Sequence, residues 1–256
     1  MNKKPGNEKE VADFLLRNIG RIELRHVGVI NKVQGPSRDG QLINLSSGDI
    51  EKVITEQSGK KADIFINGRG VSIKQKGAAN LFNRLQRAEI LRTFELLGLT
   101  DPNHKVKLLD EEIERFHKGL LCSRDRDWFD FFDAEDFSKL LDFLMMKGSP
   151  NLGFSKFPAE FIIEAPSNIS GASQVNCLSF HEYYMKYRES IVIGIRRVWI
   201  GQSSDSEHKR AVGLASKEGN AQWVYNNVAG SPRGWRDEIP PSERKTVYFL
   251  MIIKNQ

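Results

Sequence analysis

Between Glu8 and Ile19, apolar residues recur at Val11, Phe14, Leu15 and Ile19, a spacing that predicts an amphipathic helix. Strand-like pieces follow at residues 22–24 and 27–33, and a loop is expected over 35–40, where Gly, Pro, Ser and Asp cluster. Ser46 and Ser47 precede a helical pattern at 49–57, with Ile50, Val53 and Ile54 turned inward. The clearest local signal lies in 61–76, where two β-prone runs flank Asn67-Gly68-Arg69-Gly70, a hairpin pattern. One long helix is expected over 78–97, stopped by Gly98 with Asp101-Pro102 beyond it. Two further helices are expected at 110–120 and 134–147, the second capped by Asp133 and ended by Gly148.

The second half reads differently. Strand patterns occupy 160–164, 190–200, 221–225 and 246–253, with a helix at 180–188 and long polar loops at 203–209 and 228–245. Helices and strands alternate irregularly, which predicts an α/β (α+β) fold with a central mixed sheet flanked by helices and additional C-terminal strands and loops. We read residues 1–256 as a single domain, with a catalytic core over roughly 1–100 and recognition elements over roughly 150–256.

Composition narrows the function classes. At 256 residues, with 39% apolar and 28% charged, the chain can bury a sizeable core. No apolar run reaches the ~18–20 residues of a membrane span, and the first residues lack the apolar region of a secretory signal. A cytoplasmic protein without a membrane partner is therefore expected. Cys122 and Cys177 stand far apart without metal-ligand spacing, which favours reduced thiols. His26, His104, His117, His181 and His208 are scattered, and neither a Gly-rich phosphate loop nor a nucleophile elbow occurs. Lys+Arg exceed Asp+Glu by 38 to 33, a net charge of +5 that suits a polyanionic partner. The surplus concentrates at 69–92, where Arg69, Lys74, Lys76, Arg84, Arg87 and Arg92 face the single acid Glu89.

The predicted hairpin brings Asp63 and Lys74 to the same end of two neighbouring strands. Metal-assisted phosphodiester cleavage needs a divalent ion, an activated water and positive charge near the transition state. Magnesium accepts one or two carboxylates and keeps several waters. Asp63 is the candidate bridging ligand, the Ile73 carbonyl a second oxygen, and Lys74 the group beside water and phosphate. The simpler reading is an exposed cross-strand ion pair worth a few tenths of a kcal/mol. Apolar flanks, the basic stretch that follows and the lack of a rival site favour chemistry.

Asp63 followed by Ser72-Ile73-Lys74 resembles the PD-(D/E)xK motif of the restriction-endonuclease-like nucleases, over roughly the first hundred residues. Ala62 replaces the proline of the motif, and Ser72 stands at its second acidic position. Some restriction enzymes carry serine there and draw the carboxylate from the following helix. The resemblance thus implies Glu89, which the helical wheel places beside Phe82, Leu85 and Leu96. Glu51, Glu56, Glu8 and Glu10 are alternatives.

The family also implies Mg²⁺, with Mn²⁺ able to substitute, and double-stranded DNA cut at a short specific sequence, often by a homodimer on a palindrome. Ser72 becomes a structural or water-mediated group of the site. Gln75, Lys76, Asn83, Arg84 and Arg87 are candidate DNA contacts, and Arg233, Trp235 and Arg236 candidates for base readout. The expectation is a type II restriction endonuclease. A structure-directed or repair nuclease and a DNA-binding protein without catalysis are the alternatives.

Overall fold

The computed structural model describes residues 7–37, 40–46, 48, 60–77, 81–117, 120, 125–150, 152–199 and 245–253. The chain divides into two compact units interleaved in sequence. The first comprises Met1–Asn80, Leu141–Ser190 and Ile253–Gln256, and the second Leu81–Leu140 and Ile191–Ile252.

The first unit begins with the predicted helix, α1 (Glu8–Arg17), which buries Val11, Ala12, Phe14 and Leu15. After a short two-stranded ribbon of Glu23–Leu24 and Gly28–Val29, the main sheet takes β1 (Val33–Pro36), β2 (Leu42–Asn44), β3 (Ile64–Ile66) and β4 (Arg69–Gln75). The hairpin joining β3 to β4 forms where Asn67-Gly68 predicts it. Both residues have positive φ, 53° and 84°, as a tight two-residue hairpin turn requires. Arg69 and Gly70, read as part of the turn, belong to β4 and pair with Ile66 and Phe65. Asn67 also fastens the tip: its Oδ1 accepts the Asn31 N–H at 2.9 Å, and its Nδ2 donates to the Val29 carbonyl at 2.8 Å. Gly35 and Pro36 fall in β1 rather than a loop, because they pair with Ile43 and Leu42 of β2.

Later in the chain, β7 (Phe161–Ala165) and β8 (Asn176–Ser179) complete a six-stranded mixed sheet in the order β8-β7-β4-β3-β1-β2. The β4–β7 pairing is parallel and sets Ile73 against Ile163 and Lys74 against Glu164. Parallel neighbours cannot be joined by a hairpin, and the Leu81–Leu140 part of the second unit lies within the connection. Alternation divides the sheet into two faces. Ile64, Ile66, Val71, Ile73 and Ile163 pack with Val11, Ala12 and Leu15 of α1. On the other face, Glu164 reaches Lys186 and Tyr187 of α5 (Phe180–Tyr187). The sheet is therefore flanked by helices on both sides. A capping box at Ser179 and Glu182 starts α5.

The second unit has a four-stranded sheet, ordered β5-β10-β9-β6, from β5 (Leu81–Gln86), β6 (Asp125–Asp127), β9 (Ile191–Trp199) and β10 (Lys245–Ile253). Here the long helix expected at 78–97 is corrected. Residues 81–86 form a strand antiparallel to β10, with Leu85 opposite Phe249. A 3-10 turn at Arg87–Glu89 follows, and the helix proper, α2, covers only Ile90–Leu96. Short apolar runs do not separate strand from helix by period, and a partner far along the chain decides. Gly98, at φ 60°, ends α2 where the sequence predicts a stop, and the helix expected at 110–120 is α3 (Pro102–His117), which Pro102 opens. Asp133 caps α4 (Ala134–Asp142) through the Asp136 N–H at 2.9 Å, as predicted, and a π-helical turn at Phe143–Lys147 continues it. Buried Asp136 binds Lys105 at 2.8 Å and the Thr100 N–H at 2.9 Å, tying α4 to the start of α3. The patterns at 49–57, 203–209 and 221–225 lie outside the described residues, as does all but the last residue of 228–245. Among the described residues, no helix is long and apolar enough to cross a membrane.

One close approach constrains the first unit. The Glu160 N–H donates to the Gly70 carbonyl at 2.7 Å. A Cβ built on Gly70 would lie 2.2 Å from the Pro158 carbonyl oxygen and 3.1 Å from the Ala62 Cβ. Gly70→Ala should therefore destabilise the protein by about 1–3 kcal/mol, read as a lowered urea midpoint, whereas Gly68→Asn, at the positive-φ turn, should change it little.

Candidate functional site

Asp63 sits just before β3, where regular pairing with β4 stops. Its N–H donates to the Val71 carbonyl at 2.8 Å, one residue out of register with the Ile64–Val71 pair. Its side chain then takes the place of the missing main-chain acceptor. Oδ2 accepts the Ile73 N–H at 2.6 Å and lies 3.4 Å from the Ser72 Oγ. The aspartate thereby terminates a ladder, and its orientation is set by two groups on the adjacent strand. Within a strand, the N–H and carbonyl of one residue project to the same side, so the Ile73 carbonyl also points toward Asp63. The sequence-predicted trio of Asp63, Ser72 and Ile73 is brought together.

Lys74 follows at the same end of β4, half-buried, and its side chain makes no hydrogen bond or ion pair among the described residues. The acid opposite it, Glu164, does not neutralise it. That carboxylate is buried and points to α5, where Lys186 Nζ and Tyr187 Oη each donate to it at 2.5 Å. Burial, together with this carboxylate, raises the Tyr187 hydroxyl above its ordinary range; burial opposes the Lys186 ammonium, but its bonds to Glu164 and Tyr187 outweigh that and raise it.

Two lysines that the motif leaves out complete the local electrostatics. Lys61 donates from Nζ to the Leu144 carbonyl in the π-helical turn at 2.6 Å. Burial, reinforced by repulsion from Lys74 and opposed by Asp63, brings its ammonium down to about 8. Lys60 is likewise lowered by burial, against the attraction of Asp63 and Glu8. Glu8, in the first turn of α1, and Asp63 therefore act on one ammonium. Lys60 and Lys61 stand immediately before the aspartate in the sequence; what the sequence lacks is any sign of their burial. Glu164 left a clearer trace as a lone charge inside the apolar run Phe161-Ile162-Ile163-Glu164-Ala165.

The remaining candidates are distributed as follows. Gln75 is half-buried at the end of β4, and Lys76 is exposed, its N–H donating to the Ala165 carbonyl at 2.9 Å. Glu89 belongs to the second unit and precedes α2 rather than lying on the face of a long helix; its carboxylate takes Arg92 at 3.5 Å. Arg87, also in the second unit, grips both oxygens of Asp110, so its guanidinium is already occupied. Asn83 and Arg84 lie on β5. Glu51, Glu56, Arg233, Trp235 and Arg236 lie outside the described residues. Cys177 is buried in the α1 core, and burial pushes its thiol up to about 12, the state of a packing group rather than a nucleophile.

Lys61 links stability to pH. Its ordinary value is 10.5 and its folded value about 8, so between these the unfolded chain binds more protons. Stability must rise with pH across that window, by about 1.4 kcal/mol for each pH unit separating the two values. Below pH 8 the burial cost is fully present. In EDTA, urea midpoints measured from pH 8 to 10 should rise for the wild type and rise much less for Lys61→Met.

Comparison with protein-family models, with curated proteins and with solved structures finds no match to this chain.

Proposed function

We propose that the protein is a magnesium-dependent endonuclease that hydrolyses phosphodiester bonds of double-stranded DNA at a short specific sequence, in the manner of a type II restriction enzyme. The observation that carries this reading is the convergence, at one end of the sheet, of Asp63, the Ile73 main chain and Lys74, whose side chain has no partner among the described residues. The mixed sheet flanked by helices is the architecture that the motif resemblance implies, and the basic surplus of the chain suits the substrate.

The donor set fits magnesium better than a softer metal. Asp63 and the Ile73 carbonyl are hard oxygen donors, the type magnesium takes. Magnesium needs only one or two carboxylates with water completing its shell. Asp63 has one oxygen tied to Ile73 and Ser72, and the other makes no hydrogen bond among the described residues. Asp63 and the Ile73 carbonyl would hold the ion. The second carboxylate is drawn from Glu8, which shares the field at Lys60 with Asp63; in this reading Glu89 remains with Arg92. When bound, the ion polarises the phosphoryl oxygen and lowers the pKa of its water.

The chain's own groups do the rest. Lys74 places an ammonium beside the attacked phosphate and offsets charge that builds there. Ser72 is 2% exposed and carries no charge, so it acts as a positioning residue that keeps the Asp63 carboxylate turned. Gln75 and Lys76 extend the same strand end toward the backbone of the duplex. Arg233, Trp235 and Arg236 remain the residues assigned to base readout.

Incubating the protein with plasmid DNA and Mg²⁺ or Mn²⁺ should give discrete fragments. Asp63→Ala and Lys74→Ala should each lower the rate by at least roughly 10²-fold, Ser72→Ala by much less, and Glu8→Gln should fall with Asp63→Ala. Unchanged cleavage by the first two variants would remove this site from consideration, and a smear would point to a structure-directed or repair nuclease. Binding without cutting in either metal would favour a DNA-binding protein, the outcome for which serine at position 72 is the motivating feature.

A further inference from the structure

Beyond the π-helical turn the chain makes a detour before it enters β7. Gly148–Ser149 and Gly153–Phe154 pair antiparallel as a short hairpin, with Gly153 opposite Ser149 and Phe154 opposite Gly148. Exposure then alternates along the chain. Leu152, Phe154, Lys156 and Pro158 are exposed, Gly153, Ser155 and Phe157 are half-buried, and Ala159 is buried. A period of two sets the four exposed residues on one side, as a ridge. Leu152 is 65% exposed and Phe154 57%, so two large apolar side chains stand together in water. Single exposed apolar residues are ordinary in a folded protein, whereas a fixed pair flanked by lysine and proline is not.

The ridge is held in place and tied to the candidate site. Phe154 meets the buried ring of Phe143 edge-to-face, with centroids 5.3 Å apart. A Cβ built on Gly148 would lie 2.3 Å from the Gly153 carbonyl oxygen and 2.4 Å from the Phe143 ring, so the hairpin sits directly on the π-helical turn. On the return side, the Ser155 N–H donates to the Lys147 carbonyl at 2.6 Å. The Phe157 carbonyl accepts the Lys61 and Ala62 N–H groups, and its ring meets Phe65 of β3 edge-on at 6.0 Å. These contacts lie on either side of Asp63 in the sequence. Charge then selects the partner. Lys147 is paired with Asp142 and Glu160 with Arg69, while the Lys156 ammonium has no acceptor among the described residues. The ridge therefore offers apolar groups and a cation, the combination with which proteins enter the minor groove of DNA.

We propose that Leu152–Pro158 is a DNA-contacting wedge, in which Leu152 and Phe154 press between base pairs from the minor groove while Lys156 pairs with a backbone phosphate. A wedge of this kind partly unstacks a base step and kinks the duplex. The energy of kinking depends on the step, so the contact adds sequence preference without hydrogen bonds to base edges. This role rests on the nuclease reading and deepens it, by naming a specificity element outside the motif.

The test uses the full chain and a short duplex centred on a cleavage site of the wild type, with a fluorophore at each end and Ca²⁺ replacing Mg²⁺. Energy transfer should show the wild type drawing the ends together. Leu152→Ala and Phe154→Ala should each weaken binding roughly tenfold and remove most of that approach. Both should keep the wild-type slope of log K against log salt, because an apolar contact releases no counterion. Lys156→Gln should lower the slope by about 0.9. Leu152→Ala, at the more exposed residue, decides the matter should Phe154→Ala disturb the packing on Phe143. A wild type that binds without drawing the ends together overturns the proposal, as do apolar variants with wild-type affinity and bending. A change confined to sedimentation also overturns it, and would make the ridge a contact between copies of the chain. Each of these results leaves cleavage by the wild type standing, whereas a wild type that does not cut DNA removes the nuclease reading and this role with it.

Discussion

A carboxylate acting as a main-chain acceptor organises the first unit. Where β3 runs out, β4 still presents the Ile73 N–H, and a buried donor without a partner costs about 1–3 kcal/mol. Asp63 Oδ2 takes that bond at 2.6 Å. The same contact turns the aspartate toward the Ile73 carbonyl and holds it beside Ser72. It also frees the segment before Asp63 to leave the sheet, so that the Lys61 and Ala62 N–H groups both donate to the Phe157 carbonyl at 3.0 Å. The crossing at Gly70 follows from this departure, because the chain at Pro158–Glu160 lies against β4 with no room for a side chain.

This arrangement divides the Asp63 carboxylate. One oxygen completes the ladder, and the other makes no hydrogen bond among the described residues. Lys74 stands near this carboxylate, and its side chain has no hydrogen bond or ion pair among the described residues. Glu164 sharpens the contrast. It lies opposite Lys74 across parallel strands, yet its charge is settled by Lys186 and Tyr187 on the far side.

The second unit shows how a long connection is accommodated. Residues 81–140 leave the first unit after β4 and return within α4, which runs on as a π-helical turn. That turn supplies the Leu144 carbonyl to Lys61 and the Met146 carbonyl to the Ala159 N–H, at 2.6 and 2.7 Å. The re-entry point is therefore fastened to both sides of the Gly70 crossing. The buried Lys105–Asp136 pair does comparable work within the second unit.

The sequence by itself determined the features whose causes are local. Asn67-Gly68 fixes the turn and hence the neighbourhood of Asp63 and Lys74, helical spacing marks α1, and Asp133 marks the start of α4. Turn and cap chemistry act over a few residues, so a linear reading finds them. Tertiary structure decided the rest. Residues 81–86 fit a helix as well as a strand, and only pairing with 245–253 made them a strand. That change moved Glu89 off the helical face on which the sequence placed it. Parallel pairing of β4 with β7 set Glu164 beside Lys74, and the π-helical turn drew Lys61 to Leu144. Each of these depends on contacts between segments far apart in the chain. Such pairings carry no local signature, because either partner could satisfy its backbone and bury its apolar groups in another way.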